Sequence, residues 1–108
     1  MNYTLDDSGN PIPEPNVLAW ARWFEKANRH LGDDTIGEVR VSTVFLGFGF
    51  YSEFESEQGK KLFLWETMTF GPEPWDNLCE KYSSREEALA GHAKWVAAVR
   101  DGRLPEGC

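Results

Sequence analysis

The chain is short of the residues that most often carry catalysis or bind metal. It has two cysteines, Cys79 and Cys108, and two histidines, His30 and His92. A secreted domain of this size usually carries more cysteines, in a disulfide framework. We therefore expect two free thiols and a cytoplasmic protein. Motifs for phosphate loops, dinucleotide binding, serine hydrolysis and zinc proteolysis do not occur in the sequence, which predicts a non-enzymatic protein with no metal or other cofactor.

Long apolar runs and basic clusters are also missing. The longest apolar runs are far shorter than the roughly 20 residues of a membrane helix, so we expect no membrane contact. No early segment joins a basic start to an apolar stretch, as a signal peptide would. With 18 acidic and 11 basic residues, the net charge is -7. This charge disfavours direct nucleic acid binding, and it favours either simple solubility or a partner with a basic groove.

Aromatic residues, by contrast, are abundant, with five Trp and seven Phe among 108 residues. Such large side chains can build a compact core from few positions, and the length suits a single domain over residues 1–108. Residues 1–15 combine three prolines with a turn signal, which excludes a central strand and predicts an N-terminal arm or hairpin. Residues 101–108 form a polar tail. The sequence leaves the oligomeric state open.

Helical spacing of apolar residues predicts two helices. The first covers residues 16–31, and we expect Gly32 to cap its end in a left-handed conformation. A solvated loop should follow. The second begins at Ser83 or Ser84, because each is followed three residues later by a glutamate that can complete a capping box. It ends at residues 101–102.

Alternating apolar residues predict strands at residues 38–50 and 62–70, joined by a polar hairpin loop at 52–61. A third, short strand is plausible at residues 78–82. This order predicts an α+β fold in which two helices pack on a small two- to three-stranded antiparallel sheet. The residues that we expect to be mostly buried are Val17, Trp20, Phe24, Val41, Phe45, Leu64, Leu89, Trp95 and Val99.

The strongest candidate for a binding site is the acidic loop. Its glutamates Glu53, Glu55 and Glu57 surround Phe54, so an apolar anchor lies within a ring of charge. Binding energy tends to concentrate in such aromatic residues, while charges steer the encounter. A solvated, variable loop is the alternative. Trp23 is a second candidate, because it lies off the apolar stripe of the first helix and the core does not obviously claim it.

Two other polar residues receive structural interpretations. His92 lies within the apolar stripe of the second helix, and we expect a core or boundary histidine that bonds to backbone rather than a catalytic base. Nothing in the sequence brings Cys79 to it. Glu66 interrupts an apolar strand, where an unpaired buried carboxylate is costly. We expect it at an open end of its face or paired with Arg40 or Arg22.

A set of segments over most of the chain forms a pattern that is specific as a whole. The segments are residues 10–15 leading into 18–25, residues 41–47, residues 64–71 and residues 82–92. The pattern resembles a family of small, largely uncharacterised proteins of tailed bacteriophages and prophages. The resemblance brings no functional residues with it. It implies a phage gene product that acts inside a bacterial cell.

Two hypotheses about function follow from this resemblance and from the acidic, motif-free sequence. The first is a stoichiometric inhibitor of a host defence system, such as an anti-CRISPR or anti-restriction protein. Its partner would be a host protein, for example a nucleic acid-binding defence complex with a basic groove, and nucleic acid mimicry is one way to occupy that groove. The alternative is an accessory protein of phage structure, assembly or replication.

Overall fold

A computed structural model of the protein describes residues 1–51 and 62–104, with only the backbone described at residues 50 and 51. Its elements in chain order are β1 (Tyr3–Leu5), β2 (Pro11–Pro13), α1 (Val17–Lys26), β3 (His30–Ile36), β4 (Val39–Tyr51), β5 (Leu62–Phe70), β6 (Cys79–Tyr82) and α2 (Arg85–Asp101).

A four-stranded antiparallel sheet in the order β3–β4–β5–β6 is the centre of the fold. The two central strands are β4 and β5, and their register sets Thr43 opposite Thr67. The short strand that the sequence suggested near residue 80 is present as β6, which pairs with β5. The predicted α+β class with two helices is therefore confirmed, but the sheet is larger than the two to three strands expected, because β3 adds an edge strand.

The N-terminal residues form a hairpin, β1–β2, instead of a loose arm. Its turn is closed by the Asp6 carboxylate, which accepts hydrogen bonds from the amides of Ser8 and Asn10. These bonds, led by the one from Asn10, lower the pKa of Asp6. The Trp20 indole of α1 donates to the carbonyls of Tyr3 and Gly47 and so fixes both the hairpin and α1 at the end of β4.

The prediction for the first helix was wrong over its last five residues, 27–31. Helix α1 ends at Lys26, and the residues expected to complete the helix and the following loop form most of β3. Pairing with β4 replaces the intrahelical bonds, since the Arg29 carbonyl accepts from the Phe45 amide at 2.8 Å. Gly32 is not a helix cap. It allows His92 to approach closely, because a Cβ there would lie 2.6 Å from the His92 Nε2.

Helix α2 follows the prediction closely. Ser84 is its N-cap and accepts from the Glu87 amide at 3.1 Å, and Gly102 caps the other end with a left-handed φ of 69°. The buried side of the helix includes Trp95 and Val96, which pack against Val39 and Val41 of β4. One face of the sheet is thereby covered, because α2 contacts all four strands.

The predicted core is correct in its centre and wrong at two positions. Val17 and Leu89 are 64% and 42% exposed, because α1 packs through its later aromatic residues and α2 turns Ala88 and not Leu89 to the sheet. Trp75 is buried although no periodicity marked it. Four of the other expected core residues are buried, namely Val41, Phe45, Leu64 and Trp95. The remaining three, Trp20, Phe24 and Val99, are half-buried.

Candidate binding surface and the polar network behind it

The sheet face opposite α2 is the candidate binding surface, and we call it the open face. It is defined by the side chains that alternate along β4, β5 and β6 with those beneath α2. The hairpin and α1 lie at one end of β4, near residues 47–49. The residues of the open face are Arg40, Ser42, Val44, Glu66, Met68, Phe70, Cys79 and Lys81.

The open face includes a partly accessible apolar part, beside the buried Ser42. Met68 lies opposite Ser42 across the β4–β5 ladder and is half-buried, as is Val44 on the same face. Phe70, at the end of β5, is 38% exposed. Aromatic residues and methionine are enriched at protein interfaces, so this surface has the composition of a contact site.

One side of the open face is bordered by a two-bond ion pair. The Arg40 Nε and Nη2 atoms each lie 2.9 Å from a carboxylate oxygen of Asp33 on the edge strand β3. The hydrogen bonds from Arg40 lower the pKa of Asp33, and the same bonds raise the pKa of Arg40. The guanidinium also lies 5.8 Å from the centre of the Phe70 ring. Both bonds of the pair restrict the direction of the guanidinium.

A second ion pair borders the other side. Glu66 lies directly opposite Lys81 in the β5–β6 register, and the Lys81 Nζ is 3.0 Å from the Glu66 carboxylate. This hydrogen bond raises the pKa of Lys81. Glu66 is thus paired, as its position in an apolar strand required, but its partner is not Arg40 or Arg22. An apolar centre within a charged rim is the usual anatomy of a protein–protein contact.

The opposite, covered face has polar side chains at its centre. A chain of hydrogen bonds runs across the sheet beneath α2 and joins a carboxylate on β3 to one on β6. Its contacts are Asp34 Oδ2 to His92 Nε2 at 2.7 Å, His92 Nδ1 to Thr43 Oγ1 at 2.7 Å, Thr43 Oγ1 to Thr67 Oγ1 at 2.5 Å, Thr67 Oγ1 to Tyr82 OH at 3.0 Å, and Tyr82 OH to Glu80 Oε1 at 3.0 Å.

The first three members of this chain, Asp34, His92 and Thr43, have the side-chain types of a hydrolytic triad. A nucleophile must, however, reach its substrate, and Thr43 is 0% exposed between α2 and the sheet. The arrangement therefore serves the fold. The expectation that His92 bonds to backbone was wrong, since both of its ring nitrogens contact side chains. Cys79 lies on the open face, on the other side of the sheet from His92.

The predicted binding residues have different outcomes. Glu53, Phe54, Glu55 and Glu57 lie outside the described residues, and their role stays a prediction. Trp23 is half-buried, and its ring meets Phe45 edge to face at a centroid distance of 5.9 Å. Trp23 therefore packs against the core, contrary to our expectation. A role for its exposed part in binding stays a prediction.

Comparisons with known proteins give no relative for this chain. No protein-family model matches it, and no curated protein or solved structure is significantly similar to it. Over residues 1–51 and 62–104, neither helix is long and apolar enough to cross a membrane. In the same part of the chain, no three His, Cys, Asp or Glu side chains come together as ligands for a metal ion.

Proposed function

We propose that the protein acts by stoichiometric binding to a protein partner, and that the open face is its contact surface. The observation that supports this most is the partly exposed apolar surface of Met68 and Phe70, which lies between two ion pairs. Burial of this surface by a partner would supply binding energy, while the fixed charges beside it would set the orientation.

The charge of the chain favours a basic partner. The net charge is -7, and three of the acidic residues, Glu53, Glu55 and Glu57, lie in the connection between the two strands at the middle of the open face. A basic surface would be attracted over a distance of about 8–10 Å at physiological ionic strength. The proposal is that acidic residues steer the encounter and the open face makes the tight contact.

The finer proposal is that the partner is a bacterial host protein and that the outcome is inhibition of a defence system. Its support is the resemblance to phage proteins, together with small size and acidity. A partner that is a nucleic acid-binding defence complex would agree with this proposal. A virion or replication protein as partner would favour the accessory role instead.

The experiment is affinity capture from bacterial host lysate with paired variants. Phe70→Lys places a charge on the apolar part of the open face. Leu89→Lys places the same charge on α2, at a side chain of similar exposure, 42% against 38%. We expect Phe70→Lys to reduce recovery of the partner about tenfold or more, as loss of an interface anchor does, and Leu89→Lys to leave it unchanged. Equal recovery with both variants would exclude the open face as the contact surface.

A further inference from the structure

A cavity of about 270 Å³ lies where helix α2 begins, away from the proposed contact surface. Three elements form its walls: the β1–β2 hairpin with Asn10 and Pro11, β5 with Trp65, and the start of α2 with residues 83–86. Trp65 alternates along β5 with Glu66 of the open face, so its side chain lies on the side of the sheet that α2 covers. The cavity is therefore separate from the open face.

The start of α2 supplies hydrogen-bond donors that have no acceptor. The first amides of an α-helix have no partner within the helix, and their partial positive charge favours an anion. The N-cap Ser84 accepts from the Glu87 amide at 3.1 Å. In the described part of the chain, the amides of Arg85 and Glu86 have no such acceptor. Both residues line the cavity.

A hydroxyl group in the cavity wall also has no partner. The Ser83 Oγ is buried, and among the described side chains it is the one buried polar atom without a hydrogen bond. Buried polar groups without a partner are rare in folded proteins. Because Ser83 lines the cavity, an oxygen atom of a bound ligand would supply the missing partner.

Arg85 brings a positive charge to the same place. It forms no ion pair with any residue of 1–51 or 62–104, so its charge is not neutralised there. Its side chain lies against the hairpin turn, since a Cβ on Gly9 would be 3.2 Å from the Arg85 Nε. An arginine beside free helix amides is the usual chemistry of a phosphate site in proteins.

The size and the remaining wall of the cavity favour a ligand larger than phosphate itself. A volume of about 270 Å³ corresponds to roughly nine water molecules, and a phosphate group fills only about half of it. Pro11 and Trp65 bring apolar side chains to the cavity. Space therefore remains for an apolar group beside the anion.

We propose that this cavity binds a small phosphate monoester, with its phosphate at residues 83–86 and its apolar group against Pro11 and Trp65. Arg85 supplies the charge, and the Ser83 hydroxyl and the two free amides supply hydrogen bonds. A phosphate monoester has three strong acceptor oxygens, which suits this number of donors better than a carboxylate does. The Glu86 carboxylate also borders the cavity and limits the affinity for an anion.

The test is titration of the nitrogen-15-labelled protein with phenyl phosphate, observed by NMR at the backbone amides of Arg85 and Glu86. Inorganic phosphate and phenol represent the two halves of this probe. We expect saturable shifts of both amide signals, and phenyl phosphate should bind at least about tenfold more tightly than either half, because it uses both parts of the cavity. Unsaturable shifts, or equal affinities for phenyl phosphate and inorganic phosphate, would overturn the proposal.

A pair of variants tests the role of Arg85. Arg85→Gln should weaken the binding of phenyl phosphate about tenfold or more, because a hydrogen bond between two charged groups is lost. Arg100→Gln, in the last turn of the same helix, makes the same change of net charge and should leave the affinity unchanged. Equal losses in the two variants would reveal a general effect of charge and would overturn the assignment of the site.

Two further variants test the wall itself. Ser83→Ala removes a hydroxyl that has no partner in the free protein, so it should weaken binding several-fold without lowering the stability of the fold. Glu86→Gln removes the opposing charge and should tighten binding. Unchanged affinity in Ser83→Ala, or no gain in Glu86→Gln, would contradict the placement of the phosphate at residues 83–86.

Discussion

The two faces of the sheet are formed by the same strands but differ in where their side chains find contacts. Beneath α2, the threonines Thr43, Thr67 and Thr69 are fully buried, and their hydroxyls need hydrogen-bond partners inside the protein. On the open face, Met68 and Phe70 are partly exposed, and their apolar surface gains from a partner outside the protein. The difference teaches that polarity alone does not identify the functional face. The polar face forms hydrogen bonds within the fold, and the partly apolar one is the face through which we propose that a partner binds.

The largest effect should come from the covered face, at Trp95. This side chain is 0% exposed, and its indole donates to Glu80. We expect Trp95→Ala to lower the free energy of unfolding by about 3–5 kcal/mol in urea denaturation. Leu89→Ala on the exposed side of the same helix is the control and should cost much less. Comparable losses at both positions would contradict the account of how α2 lies on the sheet.

A second prediction concerns the close contact between the Tyr82 ring and Gly91 of α2. In an exposed helix, replacing glycine by alanine gains about 1 kcal/mol. At Gly91 a Cβ would overlap the buried Tyr82 ring, so we expect Gly91→Ala to cost about 1–3 kcal/mol instead. Thermal unfolding measures the sign directly. A more stable Gly91→Ala protein would mean that α2 lies further from β6 than described.

The sequence predicted the regular parts of both faces. Strand β5 and the caps of α2 followed from alternation and from a capping serine, which are local signals. The end of α1 was missed, because the residues after Lys26 keep helical spacing and only pairing with β4 makes them a strand. Trp75 was missed because it lies between β5 and β6 in a Gly/Pro-rich segment without periodicity.

The sites were harder to predict than the fold. The sequence marked His92 but gave no sign of its partners, since Thr43 and Thr67 are 24 residues apart and meet only through the strand register. The open face was also missed, because on β4 it is the less apolar side, while on β5 its apolar residues Met68 and Phe70 alternate like those of a side that faces the core. The signal that could have indicated a contact surface is the pair of large apolar side chains, Met68 and Phe70, on a face that no helix covers.

The role of the acidic segment can be tested by charge reversal. We expect Glu53, Glu55 and Glu57, changed together to Lys, to slow association with a basic partner and to weaken binding most at low salt. The matched control reverses three acidic residues near the termini, Asp7, Asp101 and Glu106, and leaves Asp6 in place because its carboxylate closes the hairpin turn. Undiminished binding of a folded triple variant at low salt would remove the acidic segment from the model and leave the open face and Trp23 to explain binding.

The smallest effect that we predict is on the free energy of unfolding at acid pH. Glu80 has a lowered pKa when folded, so its stabilisation is complete above the ordinary glutamate value of 4.5 and is lost as pH falls through the folded value. Glu80→Gln should therefore flatten the loss of stability between about pH 5 and pH 3. Denaturant midpoints at several pH values measure it. An unchanged slope would show that Glu80 does not couple folding to acid.

The central claim, that the open face is the contact surface, can be tested most directly through Cys79. Its thiol is exposed on that face, and Cys108→Ser leaves it as the one thiol of the chain. The measurement is the rate of Cys79 alkylation with and without saturating purified partner. The account predicts that the bound partner slows alkylation strongly. An unchanged rate in a complex that has formed would contradict the open face as the binding surface.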